Sequence, residues 1–290
     1  MSIRSLLLVV LFAPALLLGG AAALGLTIPV PEWGREYVMR FVFDDPVVEI
    51  DLPAIEGPDD TTRPLVVIDA GHGGEDPGSI SGGVQEKQIV LAIALALRET
   101  LLAEGGIRVA LTRDDDTRIP NPMRPEMARQ MGADLFLSIH ADSAGERSEV
   151  TGASIYTLSA EASSEAAARF AEREAAFDAV NGVETTGQSE EVNAILVELS
   201  QARTQDDASE FASLIEREGE GRIAFHPQAQ RSAALAVLRA PDVPGVLFES
   251  GFVTNEGDRA RLTTPEGQQE YAAVLARAIR VYFARRAETQ

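Results

Sequence analysis

The chain has 290 residues, is 45% hydrophobic and carries a formal charge of −20. That hydrophobic share is enough for a sizeable core, and the acidic excess, with no local basic patch, argues against nonspecific nucleic-acid binding. There are no cysteines, which excludes disulfides and thiolate chemistry. At the start, Arg4 precedes an apolar run from Leu6 to Leu18, closed by Gly19-Gly20-Ala21-Ala22-Ala23. A basic start, a short apolar core and an A-x-A-like end predict a secretory signal peptide over residues 1–23, cleaved after Ala23, and hence export to the periplasm. The alternative is an uncleaved anchor, for which the run is somewhat short. No later stretch is apolar enough to span a membrane, so no stable membrane insertion is expected after cleavage.

Residues 24–62 form an N-terminal extension. Val47 to Leu52 alternates like a short strand, and Glu56 to Thr62 is a polar linker. The region is too short for a confident independent domain and is either a spacer or a segment that packs on the main domain. That domain runs over residues 63–287. Leu65 to Ile68 reads as a buried strand and stops at the glycine-rich loop Gly71-His72-Gly73-Gly74. Ile89, Ile93, Leu97 and Leu101 recur at helical spacing, and Gly105-Gly106 ends that helix. Strands are expected at Ile107–Leu111, Asp134–His140, Ala153–Leu158, Ala234–Leu238 and Val246–Phe248, with helices at Met123–Met131 and Gln268–Phe283. Strands alternating with helices predict an α/β fold with a mostly parallel or mixed central sheet of about six strands. An alanine-rich and acidic interruption, residues 159–221, has helix-favouring composition and is expected to hold about three helical stretches.

Three ends of elements carry candidate chemistry. His72 lies just past the first strand, Glu86 opens the first helix, and His140 ends the strand Leu135-Phe136-Leu137-Ser138-Ile139-His140. Functional groups gather at the carboxyl ends of strands in open α/β sheets. Two imidazoles and one carboxylate, with water in the fourth position, are the ligand set of an open catalytic zinc site. Glu249, after Val246-Leu247-Phe248, is placed to act as general base. Each residue has a plainer reading taken alone. His72 is a turn residue, Glu86 an acid favoured by the helix dipole, His140 a satisfied core histidine, and Glu249 a salt-bridge partner. Arg118, Arg124 and Arg129 read as structural, with a contact to substrate carboxylates as the alternative for one of them, and His226, which fits no motif, reads as a surface or substrate-cleft residue. No Gly-x-Ser-x-Gly elbow is present.

The motifs Ile68-Asp69-Ala70-Gly71-His72-Gly73-Gly74, then Glu86, then Ser138-Ile139-His140-Ala141-Asp142, then Phe248-Glu249-Ser250-Gly251-Phe252-Val253-Thr254-Asn255 resemble the zinc-dependent N-acetylmuramoyl-L-alanine amidases of the bacterial cell-separation type. The resemblance covers residues 63–287, and all four positions match in order. It implies that His72, Glu86 and His140 bind one Zn2+, that Glu249 is the catalytic glutamate, and that the substrate is peptidoglycan. The bond cut would join the lactyl group of muramic acid to the first alanine of the stem peptide. The chain also resembles the longer division amidases, which implies that the 159–221 insertion covers the zinc until a partner with a LytM-type domain withdraws it. Glu174 is the first candidate for the plugging carboxylate and Glu172 the next. Solvent-facing acids on an alanine-rich helix are the competing reading. Two rival functions stay open: an inactive wall-binding or regulatory protein on this scaffold, and a zinc peptidase cutting within stem peptides.

Overall fold

A computed structural model of the chain describes residues 51–180 and 193–289. The expected signal peptide and the extension before residue 51 lie outside the described residues. In chain order the elements are β1 (Leu65–Ala70), a small hairpin of β2 (Ile80–Ser81) and β3 (Val84–Gln85), α1 (Glu86–Glu104), β4 (Arg108–Leu111), α2 (Met123–Gln130), β5 (Leu135–Asp142) and β6 (Ala153–Leu158). Then come α3 (Glu165–Val180), α4 (Asn193–Gly219), β7 (Phe225–Ala233), a 3-10 turn (Ala236–Leu238), β8 (Gly245–Phe252), α5 (Glu256–Leu262) and α6 (Pro265–Thr289). Six strands form one sheet in the order β4-β1-β5-β8-β6-β7. β4, β1, β5 and β8 are mutually parallel, whereas β6 runs antiparallel to β8 and parallel to β7. The sheet is therefore mixed, and α/β as expected.

The three central strands are those with the longest apolar runs. Every residue of β1 and of β5 is buried, as is all of β8 after Gly245. Such continuous runs suit strands covered on both faces. On one face, Val66, Ile68, Leu135, Leu137, Ile139, Val246 and Phe248 pack against α1, α4 and α6. On the other, Val67, Phe136, Tyr156 and Leu247 pack with residues of α2, α3 and the 3-10 turn. α1 buries Ile89, Val90, Ile93, Ala94, Leu97 and Leu101, one stripe at helical spacing. It ends at Gly105, whose positive φ of 70° suits a residue without a side chain and whose N–H bonds to the Leu101 carbonyl.

Several local readings differ from the structure. Ala234–Leu238 is not a strand: the sixth sheet position goes to β7, and Ala236–Leu238 is a 3-10 turn. The hydrophobicity of Val237 and Leu238 serves the second core, where both are buried. β5 and β8 run past His140 and Glu249, to Asp142 and Phe252. The interruption contains two described helices, and they do different work. α4 buries Ala208, Phe211, Ala212, Leu214 and Ile215 in the main core, while α3 lies on the opposite face of the sheet. Of the N-terminal extension, residues 51–62 pack on the domain edge: Glu56 makes an isolated antiparallel bridge to Val109 of β4 and an ion pair of 3.3 Å with Arg98.

Candidate metal and hydrolytic site

β1 and β5 are paired Ala70 to Ile139, so the chain leaving β1 runs alongside the end of β5. Gly71 makes this close approach possible: a Cβ there would lie 2.5 Å from the His140 ring. His72 comes next with φ of 58°, a left-handed conformation that is costly outside glycine. The Arg124 guanidinium holds it there, donating to the carbonyl of His72 at 2.8 Å, to that of Ala70 at 2.8 Å and to Asp69 Oδ1 at 2.6 Å. Asp69 also accepts from Ser138 and Thr112, both at 2.6 Å. Burial pushes the Asp69 carboxyl up, but Arg124 and the two hydroxyls outweigh it and hold it below the usual range. Arg113 adds further bonds to the carbonyls of Ala70 and Gly71. In the sequence Arg124 reads only as structural, and neither Asp69 nor Arg113 stands out as a support of the site. The one signal is an aspartate inside an apolar strand, which demands a buried partner.

His72, Glu86, His140 and Glu249 are brought together, each no more than 3% exposed. His72 Nδ1 pairs with Asp76 Oδ2 at 2.9 Å, so its Nε2 faces Glu86 Oε1 at 3.1 Å. His140 Nδ1 lies 3.1 Å from the same oxygen. The N–H groups of Ala141 and Ser79 orient the Glu86 carboxylate, at 2.9 Å to Oε1 and 2.8 Å to Oε2. Gly78, with φ of 63°, lets the loop pass over it, since a Cβ there would be 2.6 Å from Glu86 Oε2. Across the sheet, Glu249 of β8 stands directly opposite His140 of β5. Neither of its oxygens has a hydrogen-bond partner.

A fourth acid enters from α3. Glu174 is buried, its Oε2 lies 3.9 Å from His140 Nδ1, and that oxygen has no hydrogen-bond partner. Among the described residues, His72, His140 and Glu174 form the one grouping of possible ligand atoms that all lie within 4.8 Å of one another. Glu172, by contrast, is exposed. α3 is seated through Ala167, Phe170 and Glu174, one face of the helix. The Phe170 ring stacks on Tyr156 at 4.6 Å, and Arg173 pairs with Asp142 at 2.5 Å. Beside this helix, a cavity of about 420 Å³ opens onto Glu86, Asp142, Arg147 and Glu174.

The donor set fits a dication. Two ligands each about 2.0–2.1 Å from a tetrahedral zinc lie about 3.3 Å apart, and the Glu86 oxygen is 3.1 Å from each imidazole nitrogen. The Asp76–His72 pair fixes the tautomer that offers Nε2. The charges also call for a cation. Burial opposes ionisation of Glu86, yet His72 and His140 hold its carboxyl well below the usual range. Burial works against a charged His72 too, but Glu86 and Asp76 raise it well above an ordinary imidazole. Burial, then repulsion from Asp142, Glu86 and Glu174, drives the Glu249 carboxyl well up. Asp142 is pushed up to about 6, first by burial and despite Arg173. Crowded buried acids of this kind are what a bound metal neutralises. Of the other residues noted in the sequence, Arg129 pairs locally with Glu126, and His226 accepts from the Gln228 N–H and packs near Phe252.

A mixed α/β sheet gathers two histidines, a strand glutamate and the glutamate that opens α1 into one buried cluster, opposite a helix that inserts a further carboxylate. The chain belongs to the Amidase_3 family of N-acetylmuramoyl-L-alanine amidases, whose model matches residues 66–281. It is 38% identical over 221 residues to the N-acetylmuramoyl-L-alanine amidase AmiA of Escherichia coli strain K12, covering 76% of each chain. It is 35% identical over 225 residues to AmiC of Escherichia coli O6:H1, covering 77% of this chain and 54% of that one. The chain thus spans about half the length of the AmiC relatives it matches. Among solved structures, the amidase AmiC2 of Nostoc punctiforme is similar with a TM-score of 0.54 and 27% identity, over 76% of this chain and 97% of that one. No helix among the described residues is long and apolar enough to cross a membrane.

Proposed function

We propose that the chain is a zinc-dependent peptidoglycan hydrolase of the periplasm that cuts the amide between the lactyl group of N-acetylmuramic acid and L-alanine, in wall remodelling and daughter-cell separation. His72, Glu86 and His140 are the zinc ligands, and Glu249 is the general base. Residues 1–23 are the signal peptide, 24–62 the extension and 63–287 the catalytic domain. The observation that carries this reading is the placement of one Glu86 oxygen 3.1 Å from a nitrogen of each histidine, beside a buried glutamate with no partner of its own. Zinc bound there supplies an acidified water and a Lewis acid for the carbonyl. Glu249 takes the proton from the attacking water and returns it to the leaving alanine nitrogen. Asp76 and the backbone N–H groups of Ser79 and Ala141 keep the ligand atoms aimed. No protein nucleophile is required.

The same site supports autoinhibition. Glu174 reaches the ligand cluster on a helix that is seated by one apolar face and one ion pair. In that position it occupies the ground a water or substrate would need. An activator, proposed to carry a LytM-type domain, would favour the withdrawn state by binding it better. The test of the function is digestion of purified wall sacculi by the full chain, with mass spectrometry and with or without a zinc chelator. Release of intact stem peptides from muramyl glycan, abolished by the chelator and restored by zinc, is the expected result. Cleavage between amino acids would instead establish the peptidase reading, and no cleavage under any activating condition would leave a binding protein.

A further inference from the structure

Next to Glu249 on its other side stands Ser154. Glu249 of β8 is in register with His140 of β5 and, across the antiparallel pair, with Ser154 of β6. Directly opposed residues project to the same face of a sheet. His140, Glu249 and Ser154 therefore make one row, in steps of about 4.8 Å between strands. Ser154 is 1% exposed, and its hydroxyl has no hydrogen-bond partner. The neighbouring buried serines are not in this state. Ser138 donates to Asp69, and Ser250 donates to the His140 carbonyl. A buried hydroxyl without a partner is costly, and an alanine would fill the same place in the strand without that cost. Ser154 Oγ and both oxygens of Glu249 are neighbouring orphans on one face, with no partner for either among the described residues.

We propose that Ser154 is a substrate-contacting residue whose hydroxyl accepts the N–H of the scissile amide, so that the amide lies along the row with its carbonyl toward His140 and its nitrogen toward β6. The inference rests on the amidase reading of the site. It gives the row a chemical order, with the metal ligands at one end, the proton carrier in the middle and the hydroxyl at the nitrogen end. In the reaction, the water oxygen bonds to the carbonyl carbon and the carbon–nitrogen bond breaks. The proton that Glu249 takes from the water goes to the nitrogen. A nitrogen whose N–H is held by Ser154 turns its developing lone pair toward Glu249, where that proton waits. The hydrogen bond therefore matters more in the transition state than in the ground state, and its loss falls on kcat.

The experiment compares the full chain carrying Glu174→Ala, which relieves the plug, with the same chain carrying in addition Ser154→Ala or Ser154→Thr, on two soluble substrates. One is a muramyl-alanyl peptide, and the other its ester analogue, with oxygen in place of the scissile N–H. Zinc content and melting temperature are measured on the same preparations. Ser154→Ala is expected to lower kcat on the amide by about tenfold, the size of one neutral hydrogen bond, with KM, zinc and melting temperature near those of the Glu174→Ala chain. On the ester, which has no N–H to hold, the loss should shrink to within about twofold, and Ser154→Thr should restore the amide rate. An equal loss on both substrates, or no loss on the amide, would overturn the assignment while leaving the amidase reading intact. A Glu174→Ala chain, relieved of the plug, that cuts neither substrate overturns the amidase reading and this proposal with it.

Discussion

On one face of the central sheet, Val66, Ile68, Leu137, Ile139, Val246 and Phe248 meet α1, α4 and α6 with hydrocarbon. On the other face, the same strands bury Asp69, Ser138, His140, Glu249 and Ser154, together with His72 and Glu86 close by. Strand alternation makes this division possible, because each residue added to a strand changes face. The first face supplies burial, which is non-directional and tolerant. The second consists of polar groups whose worth depends on each partner being in place. The polar groups on that face fall into two sorts. Asp69, Ser138 and Arg124 satisfy one another and hold the His72 loop, while Glu249, Glu174 and Ser154 keep atoms without partners. A satisfied network marks the support, and the unsatisfied atoms mark where zinc, water and substrate are proposed to bind.

The largest effect should come from breaking the polar face at the proposed zinc ligands. His72→Ala, Glu86→Ala or His140→Ala is expected to abolish activity and stoichiometric zinc together, because two protein ligands seldom hold zinc in an open site. Elemental analysis of purified variants checks this, and zinc retained in all three would remove the ligand assignment. Next comes the support. Arg124→Ala leaves Asp69 charged and buried without its partner, which should cost about 3–5 kcal/mol in chemical denaturation. The pH dependence has a definite sign. The Asp69 carboxyl is lowered in the folded protein, so its contribution is present above the unfolded aspartate value of about 3.9 and is lost as pH falls through the folded one. Wild type should therefore lose this contribution on acidification, and an Asp69→Asn variant should lack it.

Leu97→Ala tests the hydrocarbon face. Leu97 is fully buried on α1, and the cavity left should cost about 2–5 kcal/mol. Activity per folded molecule and zinc content should stay at wild-type levels. The smallest perturbation is Glu174→Ala, which removes one carboxylate from the cluster without touching the proposed zinc ligands. Basal activity on purified wall should rise without any activator, and a folded, zinc-loaded variant no faster than wild type would refute the plug. This point change is sharper than deleting residues 159–221, because deletion would also strip Phe211 and Ile215 of α4 from the main core.

The strands that hold the site are readable in the sequence because β1, β5 and β8 are apolar nearly throughout, and His72, Glu86 and His140 sit at their ends or at a helix start. β7 is not, because Phe225–Ala233 is half exposed, carries Pro227, and lacks a continuous apolar run. The neighbouring Ala234–Leu238 has the apolar look of a strand, yet its residues serve a turn. α5 is also hard to read, although Asn255 caps it by accepting the Asp258 N–H, since seven residues carry little periodicity. The motifs that carry the proposed ligands are local in sequence, but their supports are not. Arg124 is 55 positions from Asp69, Asp142 is 31 from Arg173, and Ser154 meets Glu249 only through the antiparallel pairing of β6. Such pairs depend on sheet order, which no window of sequence contains.

In the proposed hydrolytic centre, metal ligand and base are different residues on one face of the sheet. Glu249→Gln separates the two roles, because the amide keeps the shape of the side chain and cannot take a proton. Zinc content and rate on purified wall would be measured on one preparation. Zinc equal to wild type and a rate lower by about 10²–10⁴ are the expected result. Loss of zinc would make Glu249 a ligand, and a rate near wild type would mean that the proton is carried elsewhere; either result contradicts the roles assigned to this row.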